Sequence, residues 1–212
     1  MAEFRDWCPA PNYNSGGRAN SANPADSHGL NPQELAIQKR GQQFANEIAH
    51  RAHMPAPLVI YDRTAEPQNA MFIYDPNKPK HAQQIIVIGQ DSDKKLSELL
   101  QIYMAHEMGH LYNLQHDDLN KQIAPILRGL HNIQGPRHLT YSQWSEVAAD
   151  AFAAKQLFRG MPHLPESFLN ILQTASGDIG DCFHPPGPAR VNAQTAIWKA
   201  LLHQPATRSA AH

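Results

Sequence analysis

The sequence predicts an α+β fold, a small mixed sheet packed on a central helix and several further helices. Three observations predict it. Short β-branched or aromatic runs cluster between residues 58 and 88. Segments of helical period precede and follow them. A length of 212 residues with 42% apolar content suits one domain with a real core.

Taken in order, residues 1–30 are rich in Asn, Ser, Pro, Gly and Ala without periodicity, and are expected to form a disordered lead. Asn31-Pro32-Gln33-Glu34 reads as a helix start, with Asn as N-cap, Pro at the first helical position and Glu at the third. That helix should run to about His53, with Ile37, Phe44, Ile48 and Ala52 on its core face. Leu58–Tyr61, Ala70–Tyr74 and Gln84–Ile88 read as strands. A helix follows in which Leu96, Leu99, Leu100, Tyr103, His106, His110 and Leu114 fall on one face, turning both histidines inward.

Residues 120–138, broken by Pro125, Gly135 and Pro136, are expected to be irregular or short helix. Ser142 to Arg159 is strongly helical, with Trp144, Val147, Ala148, Ala151, Phe152 and Phe158 on its apolar face and Gly160 as the stop. Further helices are expected over about Pro165–Ala175 and Pro188–His203, and residues 205–212 read as a disordered tail.

A formal charge of −1 provides no basic field for phosphates, so nucleic acid is not an expected partner. Apolar runs fall far short of the roughly 18 residues a membrane span needs, so no integral membrane segment is expected. The lead has no apolar stretch of the kind a secretory signal carries. A cytoplasmic location is the default expectation, with export through a specialised secretion system, or an inhibitory role, as alternative uses of the lead. Two cysteines, Cys8 and Cys182, are too few for a disulfide scaffold, and a reducing compartment favours free thiols.

The chemistry concentrates in His106-Glu107-Met108-Gly109-His110. Histidines four apart on a helix stand one above the other, so both imidazoles can reach one zinc ion at about 2.0–2.1 Å. Glu107, turned roughly 100° away, sits beside the open coordination position as a general base for zinc-bound water. A His-Glu-x-x-His run also arises by chance in helices, so a third ligand carries weight. One candidate is His116, which with Asn113 in place of a glycine approximates the metzincin spacing, with Met161 as a conceivable Met-turn. The other is Glu146, whose helix also carries Asp150 one turn on, amid Ala, Val, Phe and Trp. Carboxylates in so apolar a stretch need partners.

Four pieces in order resemble the HtpX-like and CAAX-prenyl-endopeptidase family of gluzincins. They are Gln68-Asn69-Ala70-Met71-Phe72, the His106–His110 motif, Glu146 with Asp150, and Phe183-His184-Pro185-Pro186 followed by Arg190. The resemblance spans about residues 66–200 and implies a zincin-like domain over 31–204. It implies His106, His110 and Glu146 as zinc ligands, Glu107 as base, and Asp150 orienting a ligand histidine. It further implies His184 or Arg190 as oxyanion donor, and Asn69, Ala70, Met71 and Phe72 as an edge strand for an extended peptide. The chain departs from the family in lacking transmembrane helices and in carrying Met71 and Phe72 where Phe and Ala are usual, and it resembles the compact soluble members. The expected activity is a zinc-dependent endopeptidase acting on protein or peptide substrates. The alternatives are a metzincin-like peptidase using His116 and a metal- or peptide-binding module that does not hydrolyse.

Overall fold

The computed structural model describes residues 29–74, 77, 83–91, 95–116, 118–130, 139–175, 177, 180–181 and 183–202. Of the lead expected over 1–30 only the last two residues are among them. The tail 205–212, Cys8 and Cys182 lie outside the described residues.

The fold is α+β, with six α-helices and a three-stranded mixed sheet among the described residues. Helix α1 (Pro32–Ala52) starts on the expected capping box: Asn31 accepts from the Glu34 amide, and Glu34 reaches back to the Asn31 amide. It ends at His53, in the left-handed region at φ 54°. The Glu34 carboxylate also pairs with Arg63, whose Nη2 donates to the Gly29 carbonyl.

The strands β1 (Leu58–Tyr61), β2 (Ala70–Tyr74) and β3 (Gln84–Ile88) lie in the order β1-β3-β2, with β1 parallel and β2 antiparallel to β3. The central strand is Gln-Ile-Ile-Val-Ile, and its four apolar residues are buried on both faces. The two edges are treated differently. Along β1 the amides of Val59 and Tyr61 donate to the side chains of Gln42 and Gln38, so α1 closes that edge. At the other edge, β2, the Phe72 amide is taken by Glu107, and this strand borders the site.

Helices α2 (Glu98–Gln115) and α4 (Tyr141–Leu157) form the centre. In α2, Leu100, Ile102, Met104, Ala105, Met108 and Leu111 are all buried, which is more than one face of the helix. Such a helix lies between two partners. Here they are the sheet and α4, itself buried without interruption from Val147 to Ala154. The expected single apolar face of α2 is therefore too narrow at its start and too long at its end: Leu114 is 65% exposed.

Of the irregular or short-helical segment expected over 120–138, the described part is helical: α3 (Asp118–Gly129) runs through Pro125 and buries Leu119, Ile123 and Leu127 on one stripe. Pro125 has no N–H to give to the carbonyl of Lys121, and both residues are on the solvent side, which is why the proline is tolerated. The segment 131–138 lies outside the described residues. Helices α5 (Glu166–Ala175) and α6 (Gly187–Ile197) complete the fold, α6 continuing into a π-helical turn over Trp198–Leu202. Gly160 lies just past α4 at φ 86°, as its stop role requires.

Helices α2 and α4 meet at Gly109. A Cβ there would lie 2.7 Å from the Ala149 Cα and 2.8 Å from its carbonyl oxygen. These are backbone atoms with no rotamer to give way. Replacing Gly109 with Ala gains up to about 1 kcal/mol of helix propensity, but forcing the helices apart costs about 1–3 kcal/mol. The clash should win: Gly109→Ala is expected to lower the urea midpoint of unfolding without changing its slope, and to weaken metal binding in parallel.

Candidate metal centre

His106 and His110 project from α2, and Glu146 from the facing turn of α4. Their Nε2 atoms are 3.2 Å apart. Glu146 places Oε2 3.2 Å from His106 Nε2 and Oε1 3.2 Å from His110 Nε2. These are the donors among the described residues that converge closely enough to hold one metal ion. The rings stand at 88° to one another, so the two lone pairs approach a common point from different directions.

Each histidine is fixed from behind. His106 Nδ1 is 2.8 Å from Asp150 Oδ1, and His110 Nδ1 is 3.1 Å from the Ser145 hydroxyl. A carboxylate can only accept, so His106 carries its hydrogen on Nδ1 and turns Nε2 toward the cluster. Asp150 is 1% exposed and is also gripped by Arg190, whose Nε donates to Oδ2 at 2.8 Å and Nη2 to Oδ1 at 2.6 Å. Burial would raise the Asp150 pKa, but Arg190 and His106 outweigh it and hold the carboxyl below its usual range. Burial would likewise lower His106, yet Glu146 and Asp150 push it up to about 10. Glu146 is held well below the carboxylate range, with burial opposed by His106 and His110. The negative well that draws a proton to His106 draws a metal cation for the same reason.

Glu107 is outside the donor triangle but borders it. Its Oε2 accepts the backbone N–H of Phe72 at 3.0 Å, tying the carboxylate to the open edge of β2. In an antiparallel ladder the N–H and carbonyl of one residue point the same way, so the Phe72 carbonyl also faces outward. Asn69 precedes β2 in a turn with Glu66, and its Oδ1 accepts the Ala70 amide.

His184 belongs to a loop closed by Asp181. That carboxylate accepts the amides of Phe183 and His184, both at 2.7 Å, and lies 3.0 Å from His184 Nδ1. The loop is tied to the start of α4 by Gln143, which caps that helix and donates from Nε2 to the Asp181 carbonyl at 2.8 Å. Gly187, directly after Pro185 and Pro186, packs so closely on the Gln173 carbonyl of α5 that no side chain would fit.

Two clefts meet at Glu107 and Glu146. The larger, about 480 Å³, runs past Ala70, Met71, Tyr103, His106 and His184. The smaller, about 280 Å³, is bounded by Phe72, His110, Asn113, Leu114, Trp144 and Phe183.

The expected site residues thus assemble with two qualifications. His116 ends α2, stacks on the Tyr112 ring, and stands outside the donor cluster. Asn113 remains helical, so no turn brings His116 back, and Met161 lies exposed beyond α4. Arg190 pairs with Asp150, and its guanidinium stands behind the cluster, 4.0 Å from Glu146. Sequence reasoning gave no site role to Ser145, Asp181 or Tyr103, and weighed Asn113 only as a turn residue. The first two had a signal: Ser145 adjoins Glu146, and Asp181 precedes His184 by three residues. Compared with models of protein families, with curated proteins and with solved structures, the chain matches none.

Removing Asp150 separates support from ligation. Asp150→Ala should weaken metal binding by about 10–100-fold and also leave Arg190 buried without its charge partner, a cost of about 3–5 kcal/mol. Equilibrium dialysis with a divalent ion, alongside urea unfolding, checks both. A loss of metal as complete as that of His110→Ala would make Asp150 a ligand.

Proposed function

We propose that the protein is a zinc-dependent endopeptidase of zincin-like fold, with His106, His110 and Glu146 as the metal ligands. The observation that carries this reading is the convergence of the donors: the two Nε2 atoms lie 3.2 Å apart, and each lies 3.2 Å from a different oxygen of Glu146. A tetrahedral zinc ion bonded at about 2.0–2.1 Å sets its ligand atoms about 3.3 Å apart, so the two imidazoles suit it as they stand, with Glu146 turning one oxygen toward it. Two imidazoles and one carboxylate are also a donor set characteristic of catalytic zinc, with a fourth position left for water or substrate.

The bound ion supplies a Lewis acid that makes a water molecule nucleophilic near neutral pH. The remaining work falls to the chain. An extended peptide lies along β2, where Ala70 and Phe72 offer outward carbonyls to its amides. Glu107 takes the proton from the attacking water. Its Oε2 is held by the Phe72 amide, which leaves Oε1 for the transfer and keeps the carboxylate against the strand that carries the substrate. The proton then passes to the leaving amine.

His184 is the better oxyanion donor of the two candidates. Asp181 accepts from its Nδ1, so its Nε2 donates toward the cleft it lines only as the imidazolium, with a proton on each ring nitrogen. The Nε and Nη2 of Arg190 are already given to Asp150, so Arg190 acts by fixing Asp150, and through it His106. The peptidase reading is favoured over a non-hydrolytic binding module by Glu107, since a ligand cage alone has no use for a carboxylate beside its open side. It is favoured over a metzincin-like site by the distance of His116 from the cluster.

Purified protein is expected to bind one equivalent of zinc and to cleave unfolded casein, with a chelator abolishing turnover. Glu107→Gln should retain the zinc and lose nearly all turnover, because the amide matches the acid in size but cannot accept the proton. Zinc analysis with a casein assay checks this, and an active Glu107→Gln form would exclude Glu107 as the base.

His184→Ala should lower kcat and kcat/KM by similar factors of about 10²–10³, with zinc content normal, since its bond strengthens only as charge develops. Arg190→Ala should instead lower Tm and metal affinity together. Rates normalised to zinc-loaded protein distinguish the two.

A further inference from the structure

Of the two clefts that border the metal donors, the smaller carries an apolar surface that holding a metal does not require. Its walls include Phe72, Leu114, Trp144 and Phe183. Five large apolar side chains are exposed among the described residues, and three of them stand at the two clefts. Leu114, 65% exposed, and Phe183, 36% exposed, are at the smaller one, and Met71 is at the larger. Exposed apolar surface gathered in one place, with polar groups around it, marks a contact surface. Side chains this open can be touched by an entering group. The polar groups of the same walls are mostly spent within the protein. The Trp144 indole N–H donates to Asn120 Oδ1, the Ser145 hydroxyl meets His110, and the carboxamide atoms of Asn113 are buried out of reach. The Asn120 amide nitrogen and the Ser142 hydroxyl have no bond among the described residues, and they are the polar groups a ligand could still use.

We propose that this cleft receives a large apolar side chain, such as leucine or phenylalanine, from a residue flanking the cut, and that Leu114 and Phe183 select it. The proposal rests on the peptidase reading. The cleft shares Glu107 and Glu146 with the larger one, and its wall residue Phe72 belongs to the strand on which a substrate lies. A side chain entering it therefore comes from a residue next to the reacting carbonyl. An apolar cavity of about 150 Å³ holds a benzene-sized ring, so a cleft of about 280 Å³ has room for either side chain. Entry removes apolar area from water on both partners, the side chain's own and that of Leu114 and Phe183. Alanine is too short to cover these walls. Asparagine has the branching of leucine, but its amide would leave water for walls that are mostly carbon. Glutamate would lose more hydration still and would stand beside Glu107 and Glu146.

The test uses the zinc-loaded full chain and one peptide backbone varied at the residues on either side of the cut, with Leu, Phe, Ala or Asn. Leucine or phenylalanine at one of these positions should exceed both alanine and asparagine in kcat/KM by about tenfold, a part of what full burial of such a side chain gives. Leu114→Ser and Phe183→Ser should each lower the leucine-to-alanine ratio by about threefold or more. The ratio is taken within one enzyme, so a slower reaction caused by disturbing His184 beside Phe183 cancels. The same peptides carrying a non-cleavable reduced bond, titrated by calorimetry, read binding alone. There the leucine peptide should bind tighter than the alanine peptide, with a more negative heat-capacity change, the mark of apolar burial. If the wild type binds in that order yet cuts nothing, the subsite stands and the hydrolytic reading falls. If leucine, phenylalanine and alanine are cut and bound equally at both positions, or asparagine is favoured, or the ratio is unmoved in both variants, or no peptide binds, the proposal is overturned. The wild-type comparison decides this even if a variant unfolds.

Discussion

The contact between Gly109 of α2 and Ala149 of α4 is the constraint on which the rest of the centre depends. Helices carrying ordinary side chains pack about 8–10 Å apart, and a glycine facing an alanine allows a close approach within or below that range. Every group that forms the cluster is within four residues of this crossing: His106 and His110 on one helix, Ser145, Glu146 and Asp150 on the other. Gly109 thus serves geometry and not backbone freedom, since it is helical and has no need of positive φ. The same closeness explains why both helices are buried on nearly all sides. The pair that forms the site is also the middle of the core, so the donors inherit its rigidity.

A buried cluster of this kind must balance its charges. Two carboxylates face two imidazoles, and Arg190 supplies the lasting positive charge behind Asp150. Without it, Asp150 would be an almost fully buried anion with one histidine to neutralise it. With it, Asp150 can accept from His106 and hold the imidazole in one tautomer. The arginine comes from α6, whose start is fixed by the close approach of Gly187 to α5 and by the two buried prolines before it. Distant parts of the chain therefore meet at one carboxylate. This gives the His-Pro-Pro segment and Arg190 separate duties although they are neighbours in sequence: the loop presents His184 to the cleft, and the helix secures the metal side.

How far the sequence made this legible varies with the kind of signal. All three strands were readable to the residue because β-branched runs bounded by turn residues leave little choice, and α1 was readable from its capping box. His106, Glu107 and His110 were readable because helical spacing alone fixes their relation. The choice of Glu146 over His116 came from the family resemblance and not from spacing, since spacing leaves open whether α2 ends before or after Asn113, and an asparagine there is compatible with either outcome. The full burial of α2 was hidden because a helix apolar on several sides has no clear period to detect. The regularity of helix α3 was hidden because Pro125 reads as a breaker unless its solvent-facing position is known. The Arg190–Asp150 pair spans 40 residues and was not foreseen: resemblance brought in both residues, but in separate roles.

The sheet edges explain why the site faces where it does. A three-stranded sheet has two edges, and each is a hazard if left bare. Helix α1 closes β1 with two glutamine side chains that take the amides of Val59 and Tyr61. On β2 the Ala70 amide is taken locally by Asn69 and the Phe72 amide by Glu107, while the carbonyls of that edge stay outward. Over Ala70 and Phe72, an edge with its donors used and its carbonyls outward resists pairing with a second identical edge, which needs both, yet could still receive the amides of an extended chain. Glu107 is the group that sets this asymmetry, and it also borders the metal donors. In the proposed reaction one carboxylate would thus determine both how a strand docks and where, along that strand, a proton is taken.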